Sequence, residues 1–153
     1  MSHISQYLSA EHYHCDSLFA ETENAVAESR WEQATSLYDQ FHRETEQHFQ
    51  REEEVLFPAF EQTTGVAAGP TEVMRGEHRQ MRRLFSRLDL ALASHNAEQF
   101  LGEAETLLTL MQQHNLKEEN VLYRLASQAL ASEAQSLIDK MQSLETSSLW
   151  QKT

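Results

Sequence analysis

The segment His48-Phe49-Gln50-Arg51-Glu52 carries a histidine and a glutamate four residues apart, and the segment His114-Asn115-Leu116-Lys117-Glu118 repeats that spacing. On an α-helix, residues i and i+4 lie one turn apart on the same face, so each segment can direct an imidazole nitrogen and a carboxylate oxygen at one point. The two segments are 66 positions apart, and the same shift carries His12 onto His78. Histidine and glutamate therefore recur as a block, which indicates two similar halves.

The residues around both segments follow the alternating three- and four-residue spacing of helices that bury one face. The inward-facing positions predicted for two of these helices are Trp31, Ala34, Tyr38, Phe41, Thr45, His48, Glu52, Val55 and Ala59, and, 66 positions later, Ala97, Phe100, Ala104, Leu107, Met111, His114, Glu118, Val121 and Leu125. The segment from Leu8 to Val26 maps in the same way onto the segment from Met74 to Leu92. The chain is therefore predicted to use one helical hairpin twice.

These hairpins predict an all-α fold, an up-down-up-down four-helix bundle with a short extra C-terminal helix, in a single domain over residues 1–153. Four glycines and two prolines leave few helix breakers. The predicted helices lie at about 3–29, 31–62, 71–94 and 97–128, with the C-terminal helix at about 131–148 and a frayed end from about 147. His12 and His48 are both 18 residues from Arg30, so they should lie at one level, about 27 Å from that turn.

The formal net charge of −12 argues against nucleic acid or an anionic membrane as a partner, because both attract basic surfaces. No apolar run approaches the roughly 18 residues needed to cross a bilayer, and the polar start Met1-Ser2-His3 lacks a signal-peptide pattern. The single cysteine, Cys15, cannot form an internal disulfide, which suits a reducing compartment. The expected location is the cytoplasm. The oligomeric state is left open, since nothing in the sequence reports symmetry.

Ionisable groups on the inward faces require a counter-charge, because an unpaired buried charge costs several kcal/mol. No lysine or arginine falls on the inward-facing series, so a metal is the simplest cation. Mixed imidazole and carboxylate ligands suit iron, manganese or zinc better than calcium or magnesium. The candidate ligands are His12, His48, Glu52, His78, His114 and Glu118. The metal-free alternative is a helical interaction module in which these groups pair with one another.

Neighbouring residues offer rivals for three of these positions. His14 competes with His12, but residues two positions apart lie about 200° apart around a helix, so both cannot face the core. Leu8, Cys15 and Phe19 share the face of His12, which favours His12. Glu53 and Glu119 compete with Glu52 and Glu118. Each lies a further 100° around its helix, which predicts that it faces solvent or supports the site from outside.

The ordered set of motifs resembles the hemerythrin-like, or HHE cation-binding, family of four-helix bundles. The matching segments are Leu8 to His12, His48 to Pro58, Glu77-His78 and His114 to Tyr123. The resemblance implies a non-haem di-iron centre in which His12, His48, His78 and His114 are terminal ligands and Glu52 and Glu118 bridge two iron ions, with an oxo or hydroxo group as a further bridge. Oxygen-carrying members of the family have a further histidine where this chain has Met74 or Arg82, and an aspartate where it has Glu118.

By this resemblance the protein should handle a small ligand, O2, NO or H2O2, in a redox or stress response. The alternative from the same family is an iron sensor, storage protein or iron donor without catalysis, including a role in the repair of iron–sulfur centres. No lysine, cysteine or serine lies on the inward-facing series as an evident nucleophile with a base beside it, which favours redox chemistry or ligand binding over hydrolysis. Whether the protein is an enzyme is left open.

Overall fold

The computed structural model describes residues 3–144, and these residues form five helical segments without a strand. Two of the five segments are long helices, and each contains one π-helical turn. The elements are α1 (His3–Ala27), α2 (Trp31–Arg51), the first π turn (Glu52–Leu56), α3 (Phe57–Thr64), α4 (Pro70–Ala93), α5 (Ala97–Lys117), the second π turn (Glu118–Leu122), α6 (Tyr123–Ala129), a 3₁₀ turn (Ala131–Glu133) and α7 (Ala134–Ser143).

The prediction of an all-α bundle with a short C-terminal helix is confirmed. α1 packs along α2, α4 packs along α5, and α7 packs against α1. The four bundle helices begin and end within two residues of the predicted positions, while α7 is shorter than the predicted helix at 131–148. The end of that predicted helix and the predicted frayed end lie outside the described residues.

Both hairpin turns have the same backbone geometry. The turn after α1 places Ser29 at φ 57°, and the turn after α4 places His95 at φ 52°. In each turn the next residue donates a backbone hydrogen bond five residues back, from Arg30 to Ala25 and from Asn96 to Ala91. This is the Schellman arrangement that ends a helix in the left-handed region. The two turns are 66 positions apart, so the repeat in the sequence is also a repeat in the backbone.

The hydrophobic core has two parts, separated along every bundle helix by the histidine and glutamate positions. One part, toward the hairpin turns, includes Phe19, Tyr38, Phe41, Phe85 and Phe100. The other part, toward α7, includes Ile4, Leu8, Leu56, Phe57, Leu122, Tyr123, Leu137, Ile138 and Met141. The polar layer therefore lies between two apolar layers.

The two π turns correct part of the predicted inward-facing series. Phe57 donates its backbone N–H to the carbonyl of Glu52, five residues back, and Tyr123 donates to Glu118 in the same way. Each π turn contains one residue more than an α turn, so the positions after it rotate. Val121 and Leu125, predicted to face inward, are 49% and 41% exposed, and Val55 and Ala59 are only partly buried. Their places in the core are taken by Leu56, Phe57, Phe60, Leu122, Tyr123 and Ala126.

None of the helices in residues 3–144 combines the length and the apolar character that crossing a membrane requires.

Candidate metal centre

The six candidate ligands meet in the middle of the bundle, and all are buried. They are His12 on α1, His48 on α2, Glu52 at the start of the first π turn, His78 on α4, His114 on α5 and Glu118 at the start of the second π turn. Within the described residues they form two sets, in each of which four donor atoms lie within 4.8 Å of one another. The first set is His12, His48, Glu52 and Glu118, and the second set is Glu52, His78, His114 and Glu118.

The spacing of the donor atoms fits metal coordination. A transition metal holds nitrogen and oxygen ligands at about 2.0–2.2 Å, so ligands at right angles lie about 3 Å from each other. In the first set His12 Nε2 lies 3.1 Å from His48 Nε2 and 3.0 Å from Glu118 Oε1. In the second set His78 Nε2 lies 3.1 Å from Glu52 Oε1, and His114 Nε2 lies 3.2 Å from Glu118 Oε2. Both sets could hold a metal ion without rearrangement of the helices.

Four donor atoms of the second set have no hydrogen-bond partner in the described part of the chain. They are Glu52 Oε1, His78 Nε2, His114 Nε2 and Glu118 Oε2. Leaving a buried polar group unsatisfied costs about 1–3 kcal/mol. Four such atoms directed at one point are what a cation site requires, because a metal would satisfy all of them together.

Each candidate histidine is oriented by a glutamate on a neighbouring helix. The Nδ1 atoms lie at hydrogen-bonding distance from these carboxylates: His12 from Glu119 at 2.6 Å, His48 from Glu11 at 2.7 Å, His78 from Glu53 at 2.6 Å and His114 from Glu77 at 2.8 Å. With Nδ1–H donating outward, Nε2 of each ring is left as a ligand atom pointing inward. Such carboxylate–histidine pairs orient ligands and increase their basicity in metal sites.

Basic residues neutralise three of these four outer carboxylates. Arg51 binds Glu11, Lys117 binds Glu77, and Arg82 reaches Glu53 at 3.0 Å. This partly exposed ring of ion pairs separates the buried site from solvent. The cations lie outside the histidines and not among the six candidate ligands, in agreement with the absence of lysine and arginine from the predicted inward-facing series.

Sequence reasoning found only half of this outer ring. It anticipated that Glu53 and Glu119 could support the site from outside, but it gave no role to Glu11 and Glu77, which orient His48 and His114. The signal was present, because the 66-residue shift carries Glu11 onto Glu77 and Glu53 onto Glu119. The rival histidine, His14, is 54% exposed at its side chain and pairs with Glu44 at 2.7 Å, outside both sets.

A tyrosine that sequence reasoning did not propose lies inside the site. The hydroxyl of Tyr123, on a fully buried side chain, donates to Glu52 Oε2 at 2.6 Å, and Glu118 Oε1 lies 2.9 Å away. Burial and the two carboxylates hold the pKa of Tyr123 well above its ordinary value, so in the metal-free protein it is a neutral phenol. The second π turn brings it inward, and the regular helical spacing gave no sign of this.

Without metal, the electrostatics of the site favour positive charge on its histidines. Burial opposes a charged His114, but Glu118, Glu77 and Glu52 outweigh it and raise its pKa to about 10. For His48, too, burial is outweighed by Glu52, Glu11 and Glu118, which raise its pKa well above its ordinary value. Burial would raise the pKa of Glu118, yet His114, His12 and His48 hold it well below its usual range. Protons and metal ions would therefore compete for one anionic site.

Solvent approaches the centre on the α1 and α5 side. A cavity of about 300 Å³ opens there, lined by His12, Asp16, Glu119 and neighbouring residues. On the opposite side the ring of Phe49 stacks on His78, with ring centroids 3.9 Å apart. Small molecules could reach the edge of the first set, while the second set has an apolar wall.

Comparison with known proteins adds one match. A model of the family described as the hemerythrin HHE cation-binding domain matches residues 3–126, which is most of the chain and includes all six candidate ligands. No match was found among curated proteins or among solved structures.

Proposed function

The chain belongs to the hemerythrin HHE cation-binding domain family, and we propose that it is a non-haem di-iron protein that binds a small ligand, O2, NO or peroxide, in a redox or stress response. The family match and the buried histidine and glutamate groups support metal binding. The proposal that the ligand is as small as O2, NO or peroxide is supported by the shape of the site. The site is enclosed between two apolar layers and reached through a small cavity.

The observation that carries the two-ion proposal is the position of the carboxylate oxygens. Glu52 has Oε2 at 3.5 Å from His48 and Oε1 at 3.1 Å from His78. Glu118 has Oε1 at 3.0 Å from His12 and Oε2 at 3.2 Å from His114. Each glutamate thus divides its two oxygens between the two sets. This arrangement supports Glu52 and Glu118 as bridging ligands and the four histidines as terminal ligands.

Bound iron would supply redox chemistry and coordination positions for a diatomic or peroxide ligand. The residues of the chain determine what reaches it. The outer glutamates hold each imidazole in one orientation, so the ligand set is preorganised. Phe49 and Phe57 exclude water from the α4 side, where both rings lie nearly parallel to His78. Such an enclosure admits small ligands and excludes bulky substrates.

We also propose that residues 1–153 form a single domain in the cytoplasm. The two-part core joins all four bundle helices and α7, which supports one cooperative unit. Cys15 is a buried free thiol, in keeping with a reducing compartment.

The decisive experiment measures iron content and the optical spectrum of protein loaded anaerobically with ferrous iron and then oxidised. Wild type should bind about two irons per chain and show near-ultraviolet charge-transfer bands that shift when NO or peroxide is added. His48→Ala should lose at least one iron and change the bands. His14→Ala is the matched control, because it removes an exposed histidine, and it should behave as wild type.

Two outcomes would count against the proposal in different ways. Wild-type protein that binds no iron would remove the metal centre altogether and favour the helical interaction module. Protein that binds two irons without any response to O2, NO or peroxide would instead favour iron storage or sensing.

A further inference from the structure

The two halves of the centre differ at one corresponding pair of residues. Phe57 and Tyr123 are 66 positions apart, and each closes a π turn by donating its backbone N–H to the carbonyl of the glutamate five residues back. Both side chains are completely buried. Only Tyr123 carries a hydroxyl. The first set therefore has a phenol oxygen beside it, whereas the equivalent residue beside the second set, Phe57, has none.

The Tyr123 hydroxyl contacts the donor atoms of all four residues of the first set. Its distances are 2.6 Å to Glu52 Oε2, 2.9 Å to Glu118 Oε1, 3.2 Å to His12 Nε2 and 3.4 Å to His48 Nε2. These separations are close to the roughly 3 Å between neighbouring ligands of one metal ion. The oxygen is therefore placed as a fifth donor of the first set.

The second set has no such oxygen among the described residues. Its four donor atoms are among the buried side-chain atoms that have no hydrogen-bond partner in that part of the chain. Phe57 approaches His78 with its ring, at 5.9 Å between centroids, and Phe49 covers the same imidazole at 3.9 Å. An ion there would have four protein donors, one fewer than an ion in the first set, beside an apolar wall.

We propose that Tyr123 is a ligand of the cation held by His12 and His48, and that an added small anion binds the other cation, held by His78 and His114. The inference rests on the proposed di-iron function and deepens it, because it assigns the open coordination position to one of the two ions. When ferric iron binds, the phenol O–H bond breaks, an iron–oxygen bond forms and the proton is lost to solvent.

The first test records the visible spectrum of the ferric protein. The second test uses azide as the probe anion. A ferric ion bound by a phenolate absorbs in the visible region and enhances tyrosine ring modes in resonance Raman spectra. Wild type should show both signals, and Tyr123→Phe should lose them when the spectra are compared per iron bound. Tyr38→Phe is the matched control, because Tyr38 is also buried but donates to the backbone of Phe85, away from the site; it should keep both signals.

The second test asks which ion takes the added ligand. Phe57→Tyr places a hydroxyl at the equivalent position of the other half and should weaken azide binding by about tenfold or more, which corresponds to about 1.4 kcal/mol. Tyr123→Phe should retain azide binding at the second position. Unchanged azide affinity in Phe57→Tyr would overturn the assignment of the open position.

The outcomes separate this inference from the function on which it rests. Wild-type protein that binds two irons but lacks the phenolate signals would refute the role of Tyr123 and leave the di-iron function intact. Phenolate signals that persist in Tyr123→Phe would refute it equally, since the ligand would be another tyrosine. Wild-type protein that binds no iron would refute both.

Discussion

Removing the metal should make the stability of this protein strongly dependent on pH between about 7 and 10. One cause is His114, which is 1% exposed and lies 3.2 Å from Glu118 and 2.8 Å from Glu77. These carboxylates raise its pKa to about 10, although burial opposes the charge. Because the pKa in the folded state lies above the ordinary value of about 6.5, the stabilisation is complete below pH 6.5 and is lost as pH rises through about 10.

The size of the effect follows from the two pKa values. A pKa of about 10 in the folded protein against about 6.5 in the unfolded chain corresponds to at most about 5 kcal/mol, of which roughly 3–4 kcal/mol would be lost between pH 7 and 10. For a domain of this size, 1 kcal/mol shifts the melting temperature by about 2–4 °C. The metal-free protein should therefore melt roughly 10 °C lower at pH 10 than at pH 7.

The assay is thermal unfolding followed by circular dichroism, in chelator, across this pH range. Glu118→Gln removes the carboxylate that contributes most to raising the pKa of His114, so its profile should be much flatter than that of wild type. The difference between the two profiles removes the contribution of other groups that titrate in the same range. Iron-loaded protein should also give a flatter profile, because the metal replaces the protons as positive charge. If wild type and Glu118→Gln lose stability in parallel, the electrostatic account of the centre is wrong.

Three further predictions concern single residues. Glu77→Gln weakens the orientation of His114 and should lower metal affinity by about 10- to 100-fold in competition with a chelator; unchanged affinity would show that the pair is not needed. Leu122→Ala should cost about 2–5 kcal/mol in urea unfolding, whereas Leu125→Ala should cost less than about 0.5 kcal/mol, and the reverse order would contradict the second π turn. Gly65→Ala, at φ 74° after α3, should destabilise by about 1 kcal/mol in the same assay without changing metal content.

The fold and the layer of candidate ligands could be anticipated because both follow from local spacing. A helix places residues three and four apart on one face, so the four-residue spacing alone assigns His48 with Glu52, and His114 with Glu118, to one side of their helices. The equal distances of the histidines from the hairpin turns then set their common level. The same reasoning predicts that His12, and not His14, faces the core. In the structure His12 is buried and His14 is exposed.

The π turns could not be anticipated because they are not a property of side-chain spacing. Continuing the regular pattern past Glu52 and Glu118 directed Val121 and Leu125 inward, and the structure exposes both. A π turn replaces an i→i+4 hydrogen bond by an i→i+5 bond, which is less favourable locally. It therefore forms where the surrounding side chains gain enough from packing to offset that cost. Here the gain is the burial of Leu122 and Tyr123 in the core beside the site.

The sequence by itself determined the helical hairpin and its repeat, because periodicity and turn signals act within a few residues along the chain. It also determined which six residues share the inner faces, since the 66-residue shift preserves helix, face and depth together. Only the tertiary structure decided how the side chains around them pair, from the outer glutamates on the imidazole Nδ1 atoms to the hydroxyl of Tyr123 among the donors of the first set. Most of those contacts join residues far apart in the chain, and their geometry depends on how the helices pack and on one extra residue in each π turn.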